Sequence, residues 1–145
     1  MLYGDQRSDY RKIFFQAWEK HRTGQPLEGI ETIIVDVALA HPEYHDILEQ
    51  KEKYEDKDYL PEMGQTNPFL HMSMHVSILE QLSIDSPRGI REHYRKLLLK
   101  KGDDHETQHL IMECLGEMIW QAQQSRTPPS ERVYFSCLKK ILESL

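Results

Sequence analysis

No run of apolar residues in this chain approaches the roughly 20 that a helix needs to cross a bilayer, so no membrane span is expected. Strand-like alternation at period two is missing, and so is any repeat of 20 to 50 residues, which argues against sheets, propellers and solenoids. Basic charge is in deficit: 18 lysines and arginines face 24 acidic residues, a net charge of -6, so backbone-driven binding to nucleic acid is not expected. The common catalytic signatures are lacking too, with no HExxH, no glycine-rich phosphate loop and no GxSxG nucleophile elbow. Cysteine is scarce. Cys114 and Cys137 sit within apolar helical patterns without CxxC spacing, and both read as small core fillers of a reducing compartment. The first residues, MLYGDQRSDYRK, have no apolar segment of a secretory signal, and the expected location is the cytoplasm.

What the chain does have is helical periodicity. Tyr10, Ile13, Phe14, Ala17, Trp18 and His21 share one face of a first helix, capped at Ser8 and stopped at Gly24. Ile30, Ile33, Ile34, Val37 and Ala38 form the stripe of a second helix after Pro26, which His41 prolongs until Pro42 disfavours helical dihedrals at the residue before it. Pro42 then opens a short helix through Tyr44, His45, Ile47 and Leu48. Residues 51–66 are charged and without a clean period, and read as a long loop with at most one helical turn.

Asn67 and Pro68 signal the cap and first turn of a third long helix, on which His71 and His75 fall among Ile78, Leu79 and Leu82 on the inward face. Asp85 or Ser86, with Pro87 at its start, opens a fourth helix ending at Gly102, whose Arg91, Arg95, Lys96, Lys100 and Lys101 make a basic outer face. Asp103 and Glu106 form a capping box for a fifth, running to about Ser125 and expected to be the most buried. A last helix follows Pro128 and Pro129, with Val133, Tyr134, Cys137, Leu138, Ile141 and Leu142 inward. The expectation is an all-α bundle of five to six helices forming one domain over residues 1–145.

Histidine is where a function enters. The pairs His41/His45, His71/His75 and His105/His109 are each spaced i, i+4, which stacks two imidazoles on one helix face. Eight histidines placed at random in 145 residues give about 0.4 such pairs. Two helices carrying such pairs can offer four nitrogen ligands to one ion, as the cores of metal-binding bundles do. His71, His75, His105 and His109 are the leading ligand set. His41 and His45, whose pairing Pro42 disturbs, join Glu31 and Glu113 in a second tier. Imidazoles suit a transition metal, zinc or iron foremost, and a carboxylate from Glu31 or Glu113 shifts the preference toward iron or manganese. Glu106 and His109 supply one Glu-x-x-His spacing, but the bundle di-metal pattern needs that motif on two helices. Such a site serves hydrolysis, redox chemistry or purely structural clipping; no catalytic residue is assigned. The competing reading is a non-catalytic interaction module with structural histidines, docking a protein partner or a second copy through the basic face or the charged loop.

The segments HPEYH (41–45), NPFLHMSMH (67–75) and HETQHLIMECLGE (105–117) together resemble the signature segments of a small bacterial family catalogued as a domain of unknown function, DUF1841. The resemblance covers nearly the whole chain, with the segments in the same order. It implies a compact helical bacterial protein of about this length, and it assigns no activity, ligand or partner to any residue.

Overall fold

The computed structural model of the chain describes residues 7–59 and 67–145, with side chains from Tyr10 onward. Among the described residues the structure is helical and contains no strand, with eight α-helices rather than the five to six expected. The surplus is short: two four-residue helices, each a single turn, one where Pro42 led a short helix to be expected and one at the start of the segment read as a loop. The residues divide into two compact units, one through Val76 and one from Ser77.

In the first unit, α1 (Arg7–Arg22) is already helical at Arg7, so Ser8 stands inside the helix and is not its cap. The helix stops as expected at Gly24, whose φ of 73° lets the Gln25 N–H reach back 2.8 Å to the Lys20 carbonyl. Its buried face comprises Arg11, Phe14, Phe15, Ala17 and Trp18. Phe14, Ala17 and Trp18 are buried as the sequence reading has them, but Arg11 and Phe15 take the buried places beside them while Tyr10 and Ile13 are only half-buried and His21 is exposed. α2 (Ile30–Leu39) begins four residues beyond Pro26 and buries Ile34, Val35, Val37 and Ala38.

At His41 the backbone leaves the helix (φ -127°, ψ 69°), as the following proline requires. A single 3-10 turn, Pro42–Tyr44, leads into α3 (His45–Leu48) and then α4 (Lys51–Tyr54). The expected loop over 51–66 therefore starts as a helix; residues 60–66 lie outside the described residues. Arg11, 2% exposed, holds the end of α4: one of its terminal nitrogens donates to the carbonyls of Tyr54 (3.1 Å), Glu55 (3.2 Å) and Lys57 (2.8 Å). A cation set against the last carbonyls of a helix is the favourable sense of the helix dipole. The guanidinium also lies 4.6 Å from the centre of the Phe69 ring.

α5 (Pro68–Ile84) opens as the sequence indicates: the Asn67 side chain accepts the N–H groups of Phe69 (2.9 Å) and Leu70 (3.2 Å). Its residues through Val76 complete the first unit, where Phe69 packs against Phe14 and Phe15.

The second unit takes the remainder of α5 with α6 (Ile90–Lys101), α7 (Asp104–Ser125) and α8 (Glu131–Ser144). α6 begins at Ile90 rather than at Pro87, with Gly89 and neither Asp85 nor Ser86 at its N-cap; the Asp85 side chain, four residues earlier, accepts the N–H groups of Gly89 and Arg91. The Asp103 carboxylate accepts the Glu106 N–H at 2.8 Å, which starts α7 where the capping box places it. Ile78, Ile90, Leu97, Ile111, Leu115 and Leu138 form the core of this unit, and the buried Tyr134 hydroxyl donates to Gln81 Oε1 at 2.7 Å. Cys114 and Cys137 are not two separate fillers: a disulfide joins them and ties α7 to α8. No helix among the described residues is long and apolar enough to cross a membrane.

Candidate metal centre

Three histidines meet in the first unit. His71 and His75 descend from α5 one turn apart, as their spacing requires, and both face inward; His75 is 1% exposed. His41 comes from the break between α2 and the 3-10 turn and is also 1% exposed. Each of the three offers a ring nitrogen, and these donor atoms all lie within 4.8 Å of one another. The closest approach is His41 Nε2 to His75 Nδ1, 3.0 Å. The His41 ring stands edge-on to both others, with centroids 4.8 Å from His71 and 5.2 Å from His75.

This arrangement depends on the kink that set His41 apart in the sequence. Had α2 continued, His41 and His45 would share one face. Pro42 ends the helix instead and separates them: His41 goes to the α5 histidines, while His45 Nε2 bonds to the Ala38 carbonyl at 2.7 Å and its ring stacks on Trp18 at 4.4 Å.

The surroundings of His41 set which nitrogen carries its proton. Glu43 Oε2 lies 3.4 Å from His41 Nδ1, so the proton belongs on Nδ1 and the lone pair of Nε2 faces His75. Partial burial pushes the Glu43 carboxyl upward, but its own backbone N–H and the neighbouring His41 and His71 rings outweigh that, and it is held below the usual carboxylate range. Tyr44 covers one face of His41, with centroids 5.4 Å apart and planes 22° from parallel. Burial, and after it the Glu43 charge, raises the Tyr44 phenol above its ordinary value, which keeps it protonated.

The other candidate ligands are placed as follows. Both Glu31 carboxylate oxygens lie 2.9 Å from Lys20 Nζ, and the carboxylate also accepts the Glu28 N–H; these contacts, the lysine hydrogen bond first, lower its pKa. Glu113 is exposed on α7. His105 and His109 are half-buried on α7 in the second unit, their rings 4.1 Å apart. On α6, the basic face offered for docking is partly engaged within its own unit: Arg91 donates to the Leu82 and Ser83 carbonyls, Arg95 pairs with Glu92, and Lys101 reaches Glu106.

Arg11 went unnoticed in the sequence, yet its signal was present. It stands three, four and seven residues before Phe14, Phe15 and Trp18, in phase with the buried stripe.

An all-helical protein with a histidine group able to hold a metal ion is the class this geometry defines. Residues 6–140 match the family described as Domain of unknown function (DUF1841), and the chain belongs to that family. No curated protein and no solved structure matches it.

Proposed function

We propose that this protein binds one transition-metal ion, zinc or iron, through His41 Nε2, His75 Nδ1 and a ring nitrogen of His71. The observation that carries the reading is the approach of two buried ring nitrogens to 3.0 Å. At that distance either the N–H of one neutral ring donates to the lone pair of the other, or both lone pairs face a metal ion held between them. An ion with metal–nitrogen bonds of about 2.0–2.1 Å in tetrahedral geometry holds its donors about 3.3 Å apart, so a few tenths of an ångström of opening suffices here. Glu43 supplies the carboxylate that commonly orients a metal-bound imidazole through its other nitrogen.

The i, i+4 spacing nominates His109 as a further ligand, with His105 beside it. Without such a ligand, three protein nitrogens leave a position for water or substrate, the pattern of catalytic rather than structural zinc sites. Hydrolysis with a metal-bound water, or redox chemistry at iron, is the activity class this reading supports.

Elemental analysis of untagged protein tests it. Near-stoichiometric zinc or iron is the expected result. Metal-free protein whose melting temperature is unmoved by added zinc or ferrous ion overturns it, and leaves the three histidines as a hydrogen-bonded structural group.

A further inference from the structure

The two sulfurs of the Cys114–Cys137 disulfide stand in different surroundings. Cys114 is fully buried on α7, between the core residues Ile111 and Leu115. Cys137, on α8, is half-buried and lines a groove of about 430 Å³ with the apolar Val133 and Ile141 and the polar Glu117, Arg132 and Lys140. Arg132 and Lys140 make no ion pair among the described residues, so two cations remain available in the groove beside the outer sulfur. Cationic neighbours stabilise a thiolate, and an accessible sulfur in such surroundings is the kind an incoming thiol attacks, whereas a buried one is shielded from it.

We propose that Cys137 is a thiol–disulfide exchange site for an anionic low-molecular-weight thiol, with Cys114 as the resolving sulfur. The incoming thiolate attacks Cys137 Sγ, the only one of the two sulfurs that is open to it. A new S–S bond forms there as the Cys114–Cys137 bond breaks, and the electron pair leaves on Cys114 Sγ, which takes a proton from water. A second thiol molecule then attacks the mixed disulfide, departs as the oxidised low-molecular-weight disulfide, and leaves Cys137 as a thiol. Two thiols are oxidised and one protein disulfide is reduced; the oxidising direction is the reverse. Apolar burial disfavours a thiolate at Cys114, which makes it the poorer leaving group and sets the equilibrium toward the intact disulfide; the mixed disulfide closes again when the Cys114 thiol gives up its proton to solvent and attacks Cys137 Sγ, expelling the small thiol as its thiolate. Arg132 and Lys140 attract the carboxylates of the incoming thiol and steady the Cys137 thiolate when it departs.

The test uses the folded full chain and glutathione, followed by alkylation and mass spectrometry. Cys114→Ser is expected to take up one glutathionyl group from oxidised glutathione while folded, and Cys137→Ser none. Adding Lys140→Glu to Cys114→Ser should slow that uptake by about tenfold at low ionic strength. In the unmutated protein, the disulfide should open and re-form reversibly in glutathione buffers without loss of the near-ultraviolet dichroism of the fold. The proposal is overturned if folded Cys114→Ser stays unmodified, or if both single variants react alike. Should Cys114→Ser fail to fold, native-state reduction decides: opening of the disulfide only upon global unfolding also overturns it.

Discussion

Replacing His75 with asparagine separates a metal site from a hydrogen bond. His75 meets His41 through Nδ1, and an asparagine amide nitrogen occupies nearly the same place relative to the main chain, so it can donate to His41 Nε2. Asparagine differs little from histidine in helix propensity, and the loss of the rest of the ring from a buried position costs the metal-free protein about 1 kcal/mol. An amide is a poor ligand for zinc or iron. With free metal a hundredfold above Kd, binding to the folded state alone adds about 2.7 kcal/mol. A chain of 145 residues gains about 4 °C in Tm per kcal/mol, so saturation should raise Tm by about 10 °C. Losing a direct ligand costs at least the upper end of the 10–100-fold that losing an outer-shell partner brings. At the same metal concentration the variant then gains about 0.4 kcal/mol and Tm moves by about 2 °C. Differential scanning calorimetry of both proteins, with and without metal, reads the difference. An equal metal-induced rise in the two would refute the assignment of His75 as a ligand.

Further consequences can be measured independently. Glu43→Gln removes the charge that orients His41 and should weaken metal binding by about 10–100-fold in a competition titration with a chelating dye, with little change in the metal-free melting temperature. Arg11→Met keeps the stem that packs on Phe69 but removes the donors to three carbonyls, and should cost about 2–4 kcal/mol in urea denaturation; a variant as stable as the parent would show that the guanidinium contributes nothing net. His93 is held neutral, first by burial and then by Lys96, so its pKa lies below 6.5 in the fold. The unfolded chain therefore takes up a proton that the fold refuses, and stability is lost as pH falls from about 6.5 through the lower folded value. In His93→Gln, the drop in Tm between about pH 7.5 and 5.5 should be smaller than in the parent; an unchanged drop assigns the acid sensitivity to other groups.

Much of the helical framework was legible because its signals are local. Asn67 and Asp103 cap the helices they precede, Gly24 and Gly102 take the left-handed positions past helix ends, and the inward direction of His71 and His75 follows from 100° per residue. What sequence spacing misread was long-range. Pro42 breaks the His41/His45 pair as expected, but nothing near residue 41 indicates that the break delivers His41 to a partner 34 positions away. The centre of the α1 face, Phe14, Ala17 and Trp18, was legible, but the buried Arg11 was not, because the carbonyls that compensate its burial come from residues 54–57. The short helix after Pro42 was legible from the proline and corresponds to α3, whereas the single turn of α4 is too short for a periodicity to place it. The cysteines looked like separate fillers because their approach, 5.5 Å between Cα atoms, depends on how α7 packs against α8.

The position of Arg11 has a consequence for how the chain is made. α1 is synthesised before α4, and the carbonyls that receive its arginine follow 43 to 46 residues later. Before then, burial of the face carrying Phe14, Phe15 and Trp18 would also bury a cation without the carbonyls that offset the cost. Synthesis of the chain through Lys57 supplies them. The apolar face of the first helix and the segment through Lys57 are thus most favourably buried together.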